Sequence, residues 1–205
     1  MFLPVYVLKA AVGLLCVLAF LECCLLICKK VNGPSECACN VIVARFALML
    51  LGLVVICFGL MALPGIAERH GALMMLYTVA IVKFSDVGGF AFGLTSAKLM
   101  KGGNHKMCPT ISPGKSWEGF VGSILLSSAV SCGFMGVTHF SVSKSVALGV
   151  VAAVIGTAGD LVESKFKRWV GVKDSSALKL TNGLGGFLDM FDSLLFAPAV
   201  LSCFY

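Results

Sequence analysis

Long apolar runs, separated by short polar stretches, recur along the whole 205-residue chain and leave room for little else. A bilayer core demands about 20 consecutive apolar residues per helix, and within it every backbone polar group must find its partner inside the helix itself. With 59% hydrophobic and 13% charged residues and a mean hydropathy of +0.99, the chain is far more apolar than a soluble domain. The fold class that follows is all-α, a polytopic integral membrane helix bundle with about six transmembrane helices, forming a single membrane domain over residues 1–205.

The expected spans run from Phe2 to Ile27, Val41 to Leu63, Leu73 to Leu94, Phe120 to Thr138, Val146 to Trp169 and Gly185 to Tyr205. The first carries its positive pair, Lys29 and Lys30, after the apolar run, whereas a cleaved signal peptide has it before; an uncleaved span is expected. Pro64-Gly65 should end the second span, and Pro198 is a candidate kink in the last. Eleven Lys and Arg residues lie in the odd-numbered loops and two in the even-numbered ones, which puts the odd loops in the cytoplasm and both termini outside.

A formal charge of +6 raises the question of nucleic acid, but the basic residues sit in short loops beside apolar spans, where topology and anionic headgroups account for them. No nucleic-acid partner is expected. Most of the ten cysteines lie within apolar runs, where cysteine acts as a small hydrophobe, and reduced thiols are expected. Cys28, Cys37 and Cys39 lack a histidine or a second C-x-x-C to make a zinc set, and the three histidines form no metal motif.

Charges concentrate near the C-terminus. Asp160, Glu163, Ser164 and Lys167 recur at i, i+3, i+4 and i+7, one face of a helix, and Asp189 and Asp192 repeat an i, i+3 spacing on the next. Between them lies a basic connection with Lys165, Lys167, Arg168, Lys173 and Lys179, in which Asp174 is the only acid. Each charge alone reads as part of a positive cytoplasmic loop. The whole cluster reads as a hard cation held by carboxylates, with cationic side chains taking the remaining phosphate charge. The topology adds a geometric expectation: Asp86 lies about 22 Å and Asp160 about 21 Å from the outer ends of their spans at 1.5 Å per residue. Asp189 and Asp192 sit one or two turns below the inner surface. Four carboxylates from three spans thus reach one level, as a shared site would require. A private pair of Asp86 with Lys83 is compatible with that arrangement.

Two further stretches are informative. Ser116 is placed to cap a helix beginning at Trp117, with Lys115 beside that helix's positive end. Gly183-Leu184-Gly185-Gly186 precedes the helix bearing Asp189 and can point backbone N–H groups at phosphate oxygens, although it lacks the Walker A spacing.

These residues together resemble the phosphatidate cytidylyltransferases, also called CDP-diacylglycerol synthases. The run S-x-F-K-R-x-x-x-x-K-D from Ser164 to Asp174 and G-L-G-G-F-L-D-M-F-D-S from Gly183 to Ser193 resemble that family's C-terminal signature. Gly159-Asp160, S-P-G-K-S-W-E-G at Ser112 to Gly119, and the pattern of Asp86, Gly89 and Gly93 fit it as well, in the family's order over roughly the C-terminal 120 residues. The chain departs where Asn182-Gly183-Leu184 stands for Pro-Gly-His, where Met190 stands for an arginine, and in a segment after Lys173 about two residues longer. Family members commonly carry more N-terminal spans, so the resemblance implies a compact version. Residues 1–70 carry no motif and residues 71–205 form the catalytic part.

The resemblance implies transfer of a cytidylyl group from CTP to phosphatidate, giving CDP-diacylglycerol and pyrophosphate for phospholipid synthesis. It implies magnesium, with a second cation left open, on Asp189 and Asp192 with Asp160 or Asp174. Lys115, Ser116, Lys167, Arg168, Lys173, Gly185 and Gly186 would contact phosphates, and Asp160, Lys167, Arg168, Lys173 and Asp174 would form the catalytic set. Asp86, Glu163 and Ser164 are helpers. The lipid would enter sideways between spans and CTP from the cytoplasm, in the inner membrane of a bacterium, and the family suggests a homodimer. A CTP-dependent enzyme with an isoprenoid acceptor, and an inactive or cation-transporting relative, are the alternatives.

Overall fold

A computed structural model describes residues 5–31, 38–100, 103–170 and 192–205. Helix α1 spans Val5–Val31, α2 Ala38–His70 and α3 Ala72–Leu99. A short antiparallel hairpin follows, β1 (Lys106–Cys108) and β2 (Ser112–Ser116), and then α4 (Trp117–Gly133), the single turn α5 (Met135–Thr138) and α6 (Val142–Val170). The described C-terminal part is a 3-10 turn, Ser193–Leu195, and a terminal helix, Ala197–Leu201.

Four segments are long and apolar enough to cross a membrane: Val5–Leu25, Met49–His70, Ala72–Leu99 and Val142–Trp169. The chain is an all-α integral membrane protein, and among the described residues the number of such segments is four. The stretch expected as a fourth span folds as α4, 17 residues or about 26 Å of helix, interrupted at Phe134 before α5. Of the expected sixth span, residues 185–191 lie outside the described residues, and the rest, residues 192–205, is not one helix. Pro198 sits in the first turn of a new helix, where its missing N–H leaves no bond unmade.

The second span also differs from expectation, because α2 runs through Pro64 to His70. Pro64 is buried, and the packed neighbours of a membrane helix can compensate for the lost backbone bond. The break comes at Gly71, whose φ of +90° suits glycine and lets α3 start one residue later. Lys9 near the start of α1 pairs with Glu68 near the end of α2 at 2.8 Å, so the two helices run antiparallel side by side.

Small residues draw α3, α4 and α6 together. A methyl group added at Gly88 would stand 2.5 Å from the Gly122 carbonyl oxygen, and one at Gly119 2.7 Å from that of Gly89, so these backbones nearly touch. Such close approach is how helices associate in lipid, where apolar surface gains nothing by leaving its solvent. Buried hydroxyls complete the seam. Ser127 Oγ donates to the Ile81 carbonyl (3.0 Å), and Ser131 Oγ donates to that of Ser145 (2.7 Å). Since Ser131 gives its one proton to Ser145, the 2.7 Å contact with Tyr77 has the tyrosine as donor. On the other side, a methyl at Gly59 would overlap the Leu195 backbone, so α2 seats the C-terminal turn directly.

Candidate active site

These close helix contacts bring charged residues from distant parts of the chain around one cavity of about 430 Å³. Helix α3 supplies Lys83 and Asp86, the hairpin supplies Lys115 and Ser116, α6 supplies Thr157 and Asp160, and the chain entering the 3-10 turn supplies Asp192. Gly159 explains how α6 and the C-terminal segment come so near: a Cβ there would sit 2.9 Å from the Phe196 ring and 3.3 Å from the Asp192 carbonyl oxygen.

The hairpin closes one side. Its strands pair Lys106 with Ser116 and Cys108 with Ser112, and Ser116 ends it as the cap of α4, its hydroxyl oxygen accepting the Gly119 N–H at 3.1 Å. That leaves the hydroxyl proton to donate. Lys115, one residue earlier, reaches across the cavity. Its ammonium lies 2.7 Å from Asp160 Oδ2 and 2.9 Å from the Thr157 carbonyl oxygen. At the rim, His105 and Glu118 contact each other at 2.6 Å, and that hydrogen bond pulls the Glu118 carboxyl below its ordinary range.

The floor is a bridge between α3 and the C-terminal segment. Ser193, fully buried, donates to Asp86 Oδ2 at 2.8 Å and accepts from Lys83 Nζ at 3.1 Å, while Lys83 and Asp86 themselves stand 3.4 Å apart. The Lys83–Asp86 pair is therefore present but not private. Asp192 Oδ1 accepts the Ser193 N–H at 2.5 Å, which ties that carboxylate to the bridge.

Asp160, Glu163 and Asp192 offer carboxylate oxygens that all lie within 4.8 Å of one another. Three carboxylates at that spacing repel unless a cation joins them, and an all-oxygen set suits a hard divalent ion. Ser164 hydrogen-bonds Asp160 Oδ1 at 3.3 Å. Glu163 is buried, with Lys167 at 3.2 Å one turn along α6.

Asp86, Lys115, Ser116, Asp160 and Asp192 thus share one cavity. Two expected phosphate contacts do not line it. Lys167 turns to Glu163, and Arg168 lies on the exposed side of α6, donating to the hairpin carbonyl of Ile111 at 3.3 Å. Both follow from helix geometry, since seven residues of α6 carry Lys167 beyond the cavity's level. Lys173, Asp174, Leu184, Gly185, Gly186, Asp189 and Met190 lie outside the described residues. Sequence alone assigns no role to Ser193 or Thr157 and offers Lys83 only as the partner of Asp86. A cation inside an apolar span was the available signal for Lys83, and Ser193 directly follows Asp192.

Comparison with known proteins identifies the family. The model of the cytidylyltransferase family matches residues 1–205. A Staphylococcus aureus (strain COL) protein named phosphatidate cytidylyltransferase is 39% identical over 137 residues, 66% of this chain and 50% of that protein. A Haemophilus influenzae (strain Rd) protein of the same name is 37% identical over 145 residues, 66% of this chain and 46% of that protein. The chain therefore spans about half the length of these relatives. Matched along its whole length by the family model, the chain belongs to the cytidylyltransferase family.

Proposed function

We propose that the chain transfers a cytidylyl group from CTP to phosphatidate, yielding CDP-diacylglycerol and pyrophosphate. The observation that carries this reading is the single cavity in a membrane helix bundle where Asp160 and Asp192 meet Lys115 and Lys83. The names of the relatives supply the substrates. In the reaction a phosphate oxygen of the lipid forms a bond to the α-phosphorus of CTP. The bond from that phosphorus to the bridging oxygen breaks, and pyrophosphate leaves with the electron pair. The nucleophile is already anionic, so neutralisation and alignment of the phosphates matter more than a strong base.

Magnesium fits the carboxylate set of Asp160, Glu163 and Asp192, with Asp86 across the cavity as helper. Bound there, it would offset charge on the triphosphate. Lys115 is the best placed phosphate contact, because its ammonium already projects into the cavity, and Ser116 has a proton to donate beside it. The Ser193 bridge holds Asp86 and Asp192 in fixed relation. The loop charges support an active site at the cytoplasmic face, and the bacterial relatives support the inner (cytoplasmic) membrane of a bacterium. A homodimer remains what the family resemblance implies.

Offering the purified chain labelled CTP with phosphatidate or an isoprenoid phosphate tests the acceptor. Phosphatidate should give a labelled lipid and the isoprenoid phosphate none; the reverse result would replace the acceptor and retain the site.

A further inference from the structure

Behind the carboxylates lies a second cavity of about 160 Å³ with a different character. It is lined by Cys23 of α1, Leu51, Gly52 and Ile56 of α2, Val162 and Phe166 of α6, and the C-terminal turn at Leu195 and Phe196, and its only charged lining residue among those described is Glu163. Helix α6 and the C-terminal turn wall both cavities. Thr157 and Asp160 face the polar one and Val162 and Phe166 the apolar one, while Asp192 lies on the polar side and Leu195 on the other. Glu163 belongs both to the carboxylate cluster and to the apolar lining, so the two spaces meet at the candidate cation site.

The apolar cavity also has an outlet. Leu51 and Val162 line it and are nevertheless 60% and 57% exposed, on segments of α2 and α6 that cross the membrane. Residues exposed there face acyl chains rather than water. An apolar slot that opens to lipid at one end and reaches a phosphate-type site at the other matches one kind of molecule, a lipid phosphate with a hydrocarbon tail.

We propose that this groove between α2 and α6 binds one fatty-acyl chain of the lipid phosphate whose head group occupies the polar cavity. The proposal rests on the lipid-phosphate reading above and names Gly52, Val162 and Phe166 as determinants of chain length. Gly52 keeps the groove open, since a side chain there would enter it beside Cys23 Sγ, 3.0 Å from the added Cβ. An acyl chain displaced from the groove returns to an equally apolar bilayer, so the groove reads chain length through packing and steric fit rather than through transfer from water.

The test uses the whole chain in lipid nanodiscs and a phosphatidate carrying a diazirine in mid-chain, with no CTP, so that it does not depend on turnover. Labelling should fall on Leu51, Val55, Ile56, Val162 and Phe166 and be quenched by excess unlabelled phosphatidate but not by phosphatidylcholine. Label spread over outward-facing positions such as Val54 and Phe58, or quenched equally by both lipids, would overturn the proposal. In turnover, Gly52→Leu should lower the ratio of kcat/KM for dioleoyl over dihexanoyl phosphatidate at least tenfold. Val54→Trp, on the same helix but outside the groove, should leave the ratio unchanged. An unaltered ratio in Gly52→Leu would also overturn it. Specific labelling with no cytidylylated product would retain the groove and defeat only the reading of the reaction.

Discussion

Lys115 Nζ lies 2.7 Å from Asp160 Oδ2, joining a hairpin strand to a membrane helix across the cavity from which both project. The ammonium thus stands where a cation on Asp160 would place its own charge. A bound ion and Lys115 would compete for that carboxylate, and the lysine would be released toward the phosphates. Lys115→Met should therefore raise the affinity for Mn2+ in the absence of nucleotide, as read by calorimetry, and also raise the KM for CTP. The loss of one charge-assisted phosphate contact, about 1.5–3 kcal/mol, corresponds to a roughly 10- to 150-fold rise in KM. Unchanged Mn2+ affinity would show that the pair does not compete with the ion.

Ser193→Ala removes the hydroxyl that donates to Asp86 and accepts from Lys83. Asp86 and Lys83 are partly exposed and keep their 3.4 Å contact, so losing the hydroxyl should cost about 0.5–1.5 kcal/mol of stability. The backbone N–H that holds Asp192 is kept, so Mn2+ affinity should fall only through the lost hydroxyl link to Asp86. A loss of thermal stability without any change in Mn2+ affinity would confine Ser193 to a structural role.

Gly88→Val tests the α3–α4 seam, since the added Cβ would meet the Gly122 carbonyl at 2.5 Å. Overpacking of this kind costs about 1–3 kcal/mol. The variant should unfold at lower temperature in detergent, whereas Gly65→Ala, where an added Cβ meets nothing within 4 Å, should not. Equal melting temperatures for the two variants would contradict the close backbone approach.

The His105 hydrogen bond lowers the Glu118 carboxyl in the folded protein below its ordinary value of 4.5. A lowered carboxyl stabilises the fold above its unfolded value and loses that contribution as pH falls through the folded value. His105→Ala should thus melt below the wild type at neutral pH, and the difference should close as the medium is acidified beneath 4.5. A gap that persists in acid would assign the effect to packing.

Much of this was legible in the sequence, and the reasons are physical. A carboxylate inside an apolar run is costly enough to need a purpose, and span lengths with loop charges suffice to bring Asp86 and Asp160 to one level. Gly88, Gly89 and Gly93 in one apolar run are a signal of close helix contact, whereas their counterparts Gly119 and Gly122 emerge only from the packing. Less legible was whatever depends on tertiary neighbours. Nothing in the run from Thr95 to Ser116 showed that a hairpin would place Lys115 against Asp160. Helical spacing put Asp160, Glu163 and Lys167 on one face correctly, but could not show that Lys167 would be occupied by Glu163. Local preference makes Pro64 a stop, and only the packing around it carries α2 past that point.

The most direct test of the central claim follows radiolabel from the α-phosphate of CTP into lipid. Wild-type protein and Asp192→Asn would be purified in detergent, shown to be equally folded, and supplied with phosphatidate and magnesium. Labelled CDP-diacylglycerol with the wild type and none, or at least a hundredfold less, with the variant is the expected result, in line with loss of a catalytic cation ligand worth about 3 kcal/mol or more. Equal product from both proteins would remove Asp192 from the machinery. A folded wild type that binds CTP and labels no lipid would contradict the proposed reaction itself.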